Sequence, residues 1–320
     1  MKVVALAGGV GGAKLADGLA QVLPPADLTV IVNTADDFEH FGMYICPDLD
    51  TVCYTLAGIA NPETGWGRIN ETWNAINAVE TLKGPGWFRL GDKDLGTHLE
   101  RTRRLNLGIP LSKITKDFCQ AWGVSVEVLP MSDDPVRTIL RTEIGKLQFQ
   151  EYFVQHNCKP RVSEFLFAGV KNAQPAPGVL EAIEKSDLVV ICPSNPWVSI
   201  DPILAISGIR IALMNKTVIA VSPIIAGKAV KGPAAKMFTD LGIQPSACAV
   251  AEHYQAKAAG GLLSGFVLDE CDSDQMSQLI ARDLMPLFTQ TLMKSLDDRK
   301  RLAAEVLEFG RQFLIEKVKR

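Results

Sequence analysis

A run of four glycines followed by a lysine lies between an apolar strand and an amphipathic helix near the start of the chain. Val3–Ala7 is apolar throughout and leads directly into the loop Gly8–Lys14, as a buried parallel strand does when it enters a tight turn. An apolar stripe at helical spacing, which ends at Leu23, comes next, and Leu28–Val32 is a second apolar run. This order predicts a βαβ unit and therefore a parallel sheet.

The alternation of strand and helix returns later in the chain. Pro177–Lys185 and Pro233–Leu241 have helical patterns, whereas Arg137–Thr142 and Lys146–Phe153 alternate around Gly145 and predict an antiparallel hairpin. The other predicted strands are Val124–Leu129, Leu188–Ile191, Thr217–Val221, Ala247–Val250 and Phe266–Leu268. We therefore predict an α/β fold that is Rossmann-like and doubly wound, with a mostly parallel sheet and a helical subdomain.

Four segments organise the predicted fold. Residues 1–46 form the first part of the Rossmann-like core, and residues 47–122 form a mainly helical subdomain over the carboxyl ends of the strands. Residues 123–270 complete the α/β core. Residues 271–320 are expected to be C-terminal helices that pack on the core, with helix predicted from Asp274 to Arg320.

The composition excludes several classes of protein. The chain has 320 residues, 47% of them hydrophobic, and a net charge of -3, which argues against a nucleic-acid protein held mainly by phosphate neutralisation. No apolar run approaches the ~20 residues that cross a bilayer. The seven cysteines and four histidines are scattered and include no C-x-x-C pair, so neither a disulfide framework nor a zinc knuckle is indicated. We expect a cytoplasmic protein without a membrane or nucleic-acid partner.

The glycine loop is a candidate phosphate site, because free backbone N–H groups at the start of a helix attract anions. A Walker A loop would place Ser or Thr after its lysine, whereas Leu15 follows Lys14 here. A dinucleotide fingerprint counted from Gly9 would need a small residue at Lys14, which disfavours NAD. A bare tight turn is the alternative. The residues expected to bind a phosphate or diphosphate are Gly9, Gly11, Gly12 and Lys14.

Acidic residues follow the second strand and open the next helix. Asn33, Asp36 and Asp37 come after the strand, and Asp48 and Asp50 lie at the predicted start of the helix. Any one acid alone is better explained as a helix cap or a turn residue. Carboxylates that face a phosphate loop together repel one another unless a cation lies between them, and oxygen ligands favour Mg²⁺. We predict a magnesium site with Asp36, Asp37 and Asp48 as ligands.

Further polar groups follow other predicted elements. The turn around Arg89 carries both charges, and a solvated surface turn is the alternative explanation for it. Ser194 and Asn195 follow the strand Leu188–Ile191, at the edge where open α/β sheets bind ligands. Residues 222–233 combine glycines and lysines before a predicted helix and form a second anion-binding candidate.

Seven motifs occur in a fixed order: GGVGGAK, VNTADDFEHFG, PDLDTV, RLGDKD, MSDDP, PSNP and SPI followed by KGPA. Together they resemble the 2-phospho-L-lactate transferase (CofD) family of coenzyme F-420 biosynthesis, from the first strand to about Gly261. The resemblance implies transfer of a phospholactyl-type group from a guanosine diphosphate-linked donor to the terminal ribityl hydroxyl of 7,8-didemethyl-8-hydroxy-5-deazariboflavin (FO), with release of GMP. Whether the donor carries lactate, enolpyruvate or glycerate stays open.

The resemblance also implies roles for individual residues. Asp50 and Arg89 match positions that bind FO, and the acidic segments match those that hold the metal. Asp50 is expected to orient or deprotonate the FO hydroxyl, and Arg89 to bind FO or to meet the developing negative charge. Magnesium held by Asp36 and Asp48 would bridge the diphosphate. The expected donor contacts are Gly9, Gly11, Gly12, Lys14, Asn33, Ser194 and Asn195.

Two other functions stay open from the sequence. A non-catalytic CofD-like regulator that binds nucleotide sugars would share the glycine loop, although PDLDTV and RLGDKD resemble the transferase branch. An NAD-dependent oxidoreductase is weakened by Lys14. We expect a homodimer whose small-molecule partners are FO and the guanosine diphosphate-linked donor.

Overall fold

The computed structural model describes residues 1–319. Its strands are β1 (Val3–Ala7), β2 (Leu28–Val32), β3 (Phe38–His40), β4 (Met43–Ile45), β5 (Glu127–Pro130), β6 (Arg137–Thr142), β7 (Gly145–Gln148), β8 (Val162–Ala168), β9 (Leu188–Ile191), β10 (Thr217–Val221), β11 (Ile224–Ile225), β12 (Lys228–Ala229), β13 (Gly265–Asp269) and β14 (Met285–Thr289).

Helices cover both faces of the main sheet and fill most of the segment between β4 and β5. They are α1 (Gly9–Val22), α2 (Pro47–Leu56), α3 (Asn74–Thr81), α4 (Asp92–Asn106), α5 (Leu111–Ala121), α6 (Val179–Lys185), α7 (Asp201–Ala205), α8 (Ile209–Met214), α9 (Ala234–Asp240), α10 (Ala247–Tyr254), α11 (Met276–Ile280) and α12 (Leu296–Lys319). Two single π-helical turns lie at Glu151–Gln155 and Pro196–Ile200. None of the helices within residues 1–319 is long and apolar enough to cross a bilayer.

The central sheet has seven parallel strands in the order β14-β13-β10-β9-β1-β2-β5. β1 lies inside the sheet, since Val3 pairs with Leu28 of β2 on one side and with Leu188 of β9 on the other. The strands are continuously apolar because both faces of the sheet are covered. The predicted α/β, Rossmann-like, doubly wound fold is confirmed.

Two apolar cores lie on the two faces of this sheet. One joins the sheet to α1, α2, α5 and α12, and the other joins it to α6 through α10. Side chains of β1 alternate between the two cores, with Val3 and Ala5 in the first and Val4 and Leu6 in the second. The first core therefore fixes the helix that follows the glycine loop.

The segment between β4 and β5 carries α2 to α5, in agreement with helical content predicted for residues 47–122. That residues 47–122 form a separate subdomain stays a prediction. The predicted hairpin forms as β6 and β7, but its second strand ends at Gln148, because residues 151–155 turn into a π-helical segment. A third strand, β8, pairs with β6 and makes a three-stranded antiparallel sheet.

Two predictions of secondary structure are wrong. Ala247–Val250, predicted as a strand, is the first part of α10, because Oγ of Ser246 accepts a hydrogen bond from the N–H of Ala249 at 3.0 Å and caps a helix. The tail predicted as helical from Asp274 contains β14, which extends the central sheet beyond β13. The end of that predicted helix, Arg320, lies outside the described residues.

The contact of α1 with α12 gives a stability prediction. A Cβ on Gly18 would lie 2.7 Å from the backbone carbonyl carbon of Arg299, so Gly18→Ala should lower the free energy of unfolding by about 1–3 kcal/mol. Gly96→Ala is the matched control, because Gly96 is also helical and no described atom lies within 4 Å of its added Cβ. The control should be neutral or gain up to ~1 kcal/mol. Urea unfolding measures both, and equal shifts would contradict the packing described.

Candidate functional site

The loops that follow β1 and β9 meet where the order of the strands reverses. Ser194 accepts a hydrogen bond from the N–H of Gly8 at 3.1 Å and donates one to the carbonyl oxygen of Gly8 at 2.8 Å. The helix α1 begins at Gly9, so its first backbone N–H groups lie at this crevice. Open α/β sheets bind ligands at such a position.

The glycines of this loop leave no room for side chains. A Cβ on Gly8 would lie 2.5 Å from Oδ2 of Asp48, and Cβ atoms on Gly11 and Gly12 would overlap atoms of the loop that follows β9. Gly9 has a φ of 61°, in the left-handed region that favours glycine. The loop therefore presents bare backbone to the crevice.

Asp48, at the start of α2, lies directly against the glycine loop. Its Oδ2 accepts a hydrogen bond from Nδ2 of Asn33 at 2.9 Å, and the Oγ of Ser199 lies 3.4 Å away. The carboxylate also lies against Gly9, where an added Cβ would be 3.5 Å from Oδ1 of Asp48. Burial raises the pKa of Asp48 to about 6, although these hydrogen bonds favour the charged form. An acid is thus placed at the N–H groups that would bind a phosphate.

Asp36 and Asp37 are buried acids with unused oxygens. Within residues 1–319, Oδ1 of Asp36 and both carboxylate oxygens of Asp37 are buried without a hydrogen-bond partner. Burial and then the charges of Asp48 and Asp37 raise the pKa of Asp36 well above its usual value. Burial raises the pKa of Asp37 to about 7, against the positive charge of Arg137. Because a buried oxygen without a partner is energetically costly, these oxygens are suited to bind a cation or a hydrogen-bond donor from a ligand.

Asp50 belongs to a separate buried network between α2 and α4. The Arg101 guanidinium donates to both carboxylate oxygens of Asp50, with Nη1 to Oδ2 at 3.0 Å. Nδ1 of His98 lies 3.7 Å from Oδ2 of Asp50, and its Nε2 lies 3.5 Å from Oδ1 of Asp94. The Tyr54 hydroxyl donates to Oδ1 of Asp94 at 2.6 Å. Burial raises the pKa of Asp50 in spite of the charges of Arg101 and His98.

Within residues 1–319, one group of three side chains could hold a divalent metal: Asp50, Asp94 and His98, whose ligand atoms all lie within 4.8 Å of one another. The Arg101 guanidinium already bonds both oxygens of Asp50, and its charge opposes a cation there. The predicted ligands Asp36, Asp37 and Asp48 do not form such a group in the described part of the chain. Asp36 and Asp48 do repel each other, and Oδ1 of Asp36 has no hydrogen-bond partner among the described residues. A cation between these two acids would remove that repulsion.

Arg89 contacts α3, on the exposed side of the helical segment. Its Nη1 donates to Oε1 of Glu80 at 2.9 Å, its Nη2 donates to Oδ1 of Asn77 at 3.0 Å, and its guanidinium lies 5.4 Å from the ring centre of Trp73. The hydrogen bonds and ion pairs described for residues 1–319 do not join Arg89 to Asp50. Asp50 and Arg89, the two residues expected to bind FO, therefore contact different sets of neighbours.

Two residues that were predicted to contact the donor, Lys14 and Asn195, instead bond other parts of the protein. Nζ of Lys14 donates to the carbonyl oxygen of Met293 at 2.8 Å. Oδ1 of Asn195 accepts a hydrogen bond from the N–H of Trp197 at 3.0 Å and caps the π-helical turn. The other predicted contacts lie together at the crevice: Gly9, Gly11, Gly12, Asn33 and Ser194.

Two residues of the site were missed in the sequence. Arg101 lies in a strongly charged helix that resembles a solvated face, yet only 2% of it is exposed. Its signal was the spacing of Asp94, His98 and Arg101, which places all three on one face of α4. Ser199, which contacts Asp48, gave no signal because it lies in a π-helical turn without a sequence pattern.

Comparisons with known proteins agree on a family. The family model described as 2-phospho-L-lactate transferase CofD matches residues 3–286. The phosphoenolpyruvate transferase of Streptomyces griseus is 42% identical over 319 residues, covering 98% of this chain and 99% of that protein. The phosphoenolpyruvate transferase of Thermobifida fusca is 44% identical, covering 90% of this chain and 92% of that protein.

Solved structures agree on the fold. A crystal structure of a UPF0052-family protein, BH3568 of Bacillus halodurans, superposes with a TM-score of 0.64. It covers 96% of this chain and 99% of its own, at 17% sequence identity. At that identity the likeness concerns the fold alone.

The unused oxygen of Asp36 gives a prediction about stability. In a chelator at about pH 8, Asp36→Asn should raise the free energy of unfolding by about 0.5–2 kcal/mol, because it removes a buried, repelled charge. An acid whose pKa is raised by folding costs stability increasingly as the pH rises from its unfolded pKa toward its folded pKa, and the full cost is present above the folded pKa, so the gain should shrink toward about pH 5. Urea unfolding at the two pH values measures this.

Asp94→Asn is the matched control for that measurement. Burial opposes ionisation of Asp94, but the neighbouring His98 and the hydrogen bond from the Tyr54 hydroxyl outweigh it and lower the pKa of Asp94, so its carboxylate stabilises the fold. This variant should lose stability at the higher pH. A loss with Asp36→Asn as well would show that the Asp36 carboxylate stabilises the ligand-free protein.

Proposed function

This chain belongs to the CofD family of 2-phospho-L-lactate transferases, and on that premise we propose that it transfers a phospholactyl-type group from a guanosine diphosphate-linked donor to FO. The terminal ribityl oxygen of FO attacks the phosphorus that carries the acid. A P–O bond to FO forms, the bond from that phosphorus to the oxygen of the α-phosphate breaks, and GMP leaves while the hydroxyl releases its proton. The observation that carries the proposal is a buried acid, Asp48, packed against the glycine loop so closely that a Cβ on Gly8 would lie 2.5 Å from its Oδ2.

The acid on the donor is proposed from the relatives. Both the Streptomyces griseus and Thermobifida fusca proteins are named phosphoenolpyruvate transferases, and each is at least 42% identical to this chain. Enolpyruvate is therefore favoured over lactate and glycerate. Magnesium dependence, a homodimer and a cytoplasmic location complete the proposal as expectations from the sequence.

The donor diphosphate is proposed to lie at the start of α1. Gly11 and Gly12 lie in the first turn of α1, whose N–H groups have no partner within the helix, and they pack against Pro193 and Ser194 without side chains. The double hydrogen bond between Ser194 and Gly8 holds this backbone in place before any ligand arrives. A preorganised site of this kind stabilises the negative charge that builds on the leaving phosphate.

Magnesium is proposed to be held by Asp36 and Asp48, with Asp37 next to Asp36. The fit rests on the unpartnered oxygens of Asp36 and Asp37 and on an all-oxygen donor set, which Mg²⁺ prefers. When bound, the ion would neutralise charge on the diphosphate oxygens. Asn33 keeps the Asp48 carboxylate oriented through its hydrogen bond at 2.9 Å.

The acceptor is proposed to meet Asp50 and Arg89. Arg101 holds both oxygens of Asp50, so the carboxylate has a fixed direction for a hydrogen bond from the ribityl hydroxyl. Arg89 lies on the surface with Trp73, where a planar ring and a guanidinium together suit a flat aromatic ligand. Its present partners, Glu80 and Asn77, would then be exchanged for the ligand.

A donor panel tests the proposed reaction. FO is incubated with Mg²⁺ and the enolpyruvyl, lactyl or glyceryl donor, and mass analysis follows the adduct and GMP. We expect the enolpyruvyl donor to react fastest. Asp50→Asn should lower kcat about 10²–10⁴-fold, as loss of a group that positions or accepts a proton does, and leave GDP affinity unchanged.

The panel also separates the rival function. A regulator that binds nucleotide sugars would bind a guanosine or uridine diphosphate sugar and give no adduct with any donor. Unchanged kcat in Asp50→Asn would remove Asp50 from the reaction. A change in GDP affinity without a change in kcat would indicate that Asp50 contacts the donor and not FO.

The location of the metal is tested by thermal unfolding with and without Mg²⁺. Ligand binding to the folded state raises Tm, so Mg²⁺ with GDP should raise the Tm of the parent protein. The rise should be lost in Asp36→Asn and kept in Asp94→Asn, because only Asp36 belongs to the acid pair at the glycine loop. The reverse pattern would place the metal at Asp50, Asp94 and His98. EDTA should abolish turnover.

A further inference from the structure

Two loops from distant parts of the chain meet at the glycine loop. Residues 57–73 join α2 to α3, and Lys231 lies in the loop before α9. Nζ of Lys231 donates a hydrogen bond to the carbonyl oxygen of Thr64. The next residue, Gly65, packs so closely that a Cβ on it would lie 2.6 Å from Cγ1 of Val10 and 3.4 Å from Nζ of Lys231. The ammonium of Lys231 is thus one contact away from the centre of the glycine loop.

Lys231 brings a positive charge that the fold does not neutralise. Burial lowers the pKa of Lys14, and the charges of Arg299 and Lys231 lower it further, so three cations share this region. Arg299 is paired with Asp17, Nη1 to Oδ2 at 2.9 Å. The ion pairs described in residues 1–319 give Lys231 no carboxylate partner, and its ammonium is bonded to a neutral carbonyl. Cations gathered at the start of a helix favour an anion that carries several charges.

The position of Gly65 ties the loop 57–73 to the same place. Gly65 has a φ of 78°, and its contact with Val10 leaves no space for a side chain. Trp66, the next residue, is 50% exposed and lies in the part of the loop that would move with Lys231. If the ammonium of Lys231 changes its partner when a ligand binds, the position of residues 57–73 therefore changes with ligand binding.

We propose that Lys231 is a ligand of the donor diphosphate, exchanging the Thr64 carbonyl for phosphate oxygens and holding residues 57–73 against the bound donor. The proposal rests on the proposed function, because it takes the donor site from there. A hydrogen bond between two charged groups is stronger than one to a neutral carbonyl, so the exchange favours binding. GMP lacks the outer phosphate that Lys231 is proposed to bind. Lys231 should therefore favour binding of the donor over binding of the product.

The test compares GDP with GMP by titration calorimetry in the presence of Mg²⁺. Lys231→Met removes the charge and keeps most of the side-chain length. It should raise the Kd for GDP about tenfold and change the Kd for GMP less than about threefold. Lys171→Met is the control, because Lys171 is an exposed lysine outside the candidate anion sites and should change neither Kd by more than about twofold.

A second measurement follows the loop. Tryptophan fluorescence should change when GDP binds the parent protein, and the change should be lost in Lys231→Met and in Trp66→Phe. A Kd for GDP in Lys231→Met within about twofold of the parent, at unchanged Tm, would overturn the proposal. If the parent forms the adduct and that result is found, the transferase function stands and Lys231 is not a ligand. If Lys231→Met weakens GDP binding but no donor gives an adduct, the transferase function fails and the diphosphate ligand stands.

Discussion

The geometry of the site depends on one close approach, between the loop after β1 and the loop after β9. Ser194 bonds both backbone groups of Gly8, and Gly12 lies so near the Ser194 hydroxyl that only a hydrogen atom fits in place of a side chain. Because these two strands are neighbours where the strand order reverses, the approach fixes the first turn of α1 relative to the sheet. The crevice is then complete without a ligand.

Buried acids surround this crevice, and burial disfavours their charged forms. Asp36 and Asp48 are buried and repel each other, and Asp48 lies against Gly8 and Gly9, where an anion would bind. A diphosphate and these carboxylates can share the crevice only if a cation lies between them. Binding of the metal and binding of the donor are therefore expected to assist each other, which is reciprocal by linkage. The destabilising acids are explained by that coupling, as strained groups at functional sites often are.

Local patterns predicted much of the core and selected the candidate site residues, whereas contacts between distant parts of the chain could not be predicted from them. β1, β2, β9 and β10 were predicted with their observed bounds because short apolar runs end at turn residues. Ala247–Val250 has the same composition, but the cap by Ser246 makes it helical. The acids and glycines were found because their residue types carry the chemistry. The partner of Asp50, Arg101, is 51 residues away and depends on how α4 packs against α2, which no spacing in the sequence predicts.

The first turn of α2 places the two acids of the PDLDTV motif on opposite sides of the helix. Asp48 and Asp50 are two residues apart, and at 100° per residue their side chains point in roughly opposite directions around the helix. Asp48 accordingly faces Asn33 and the glycine loop, whereas Asp50 faces Arg101 of α4. A shift of this turn would move both carboxylates at once. The donor side and the proposed acceptor side therefore share one rigid element, so their relative position is set by α2 and not by the loops around it.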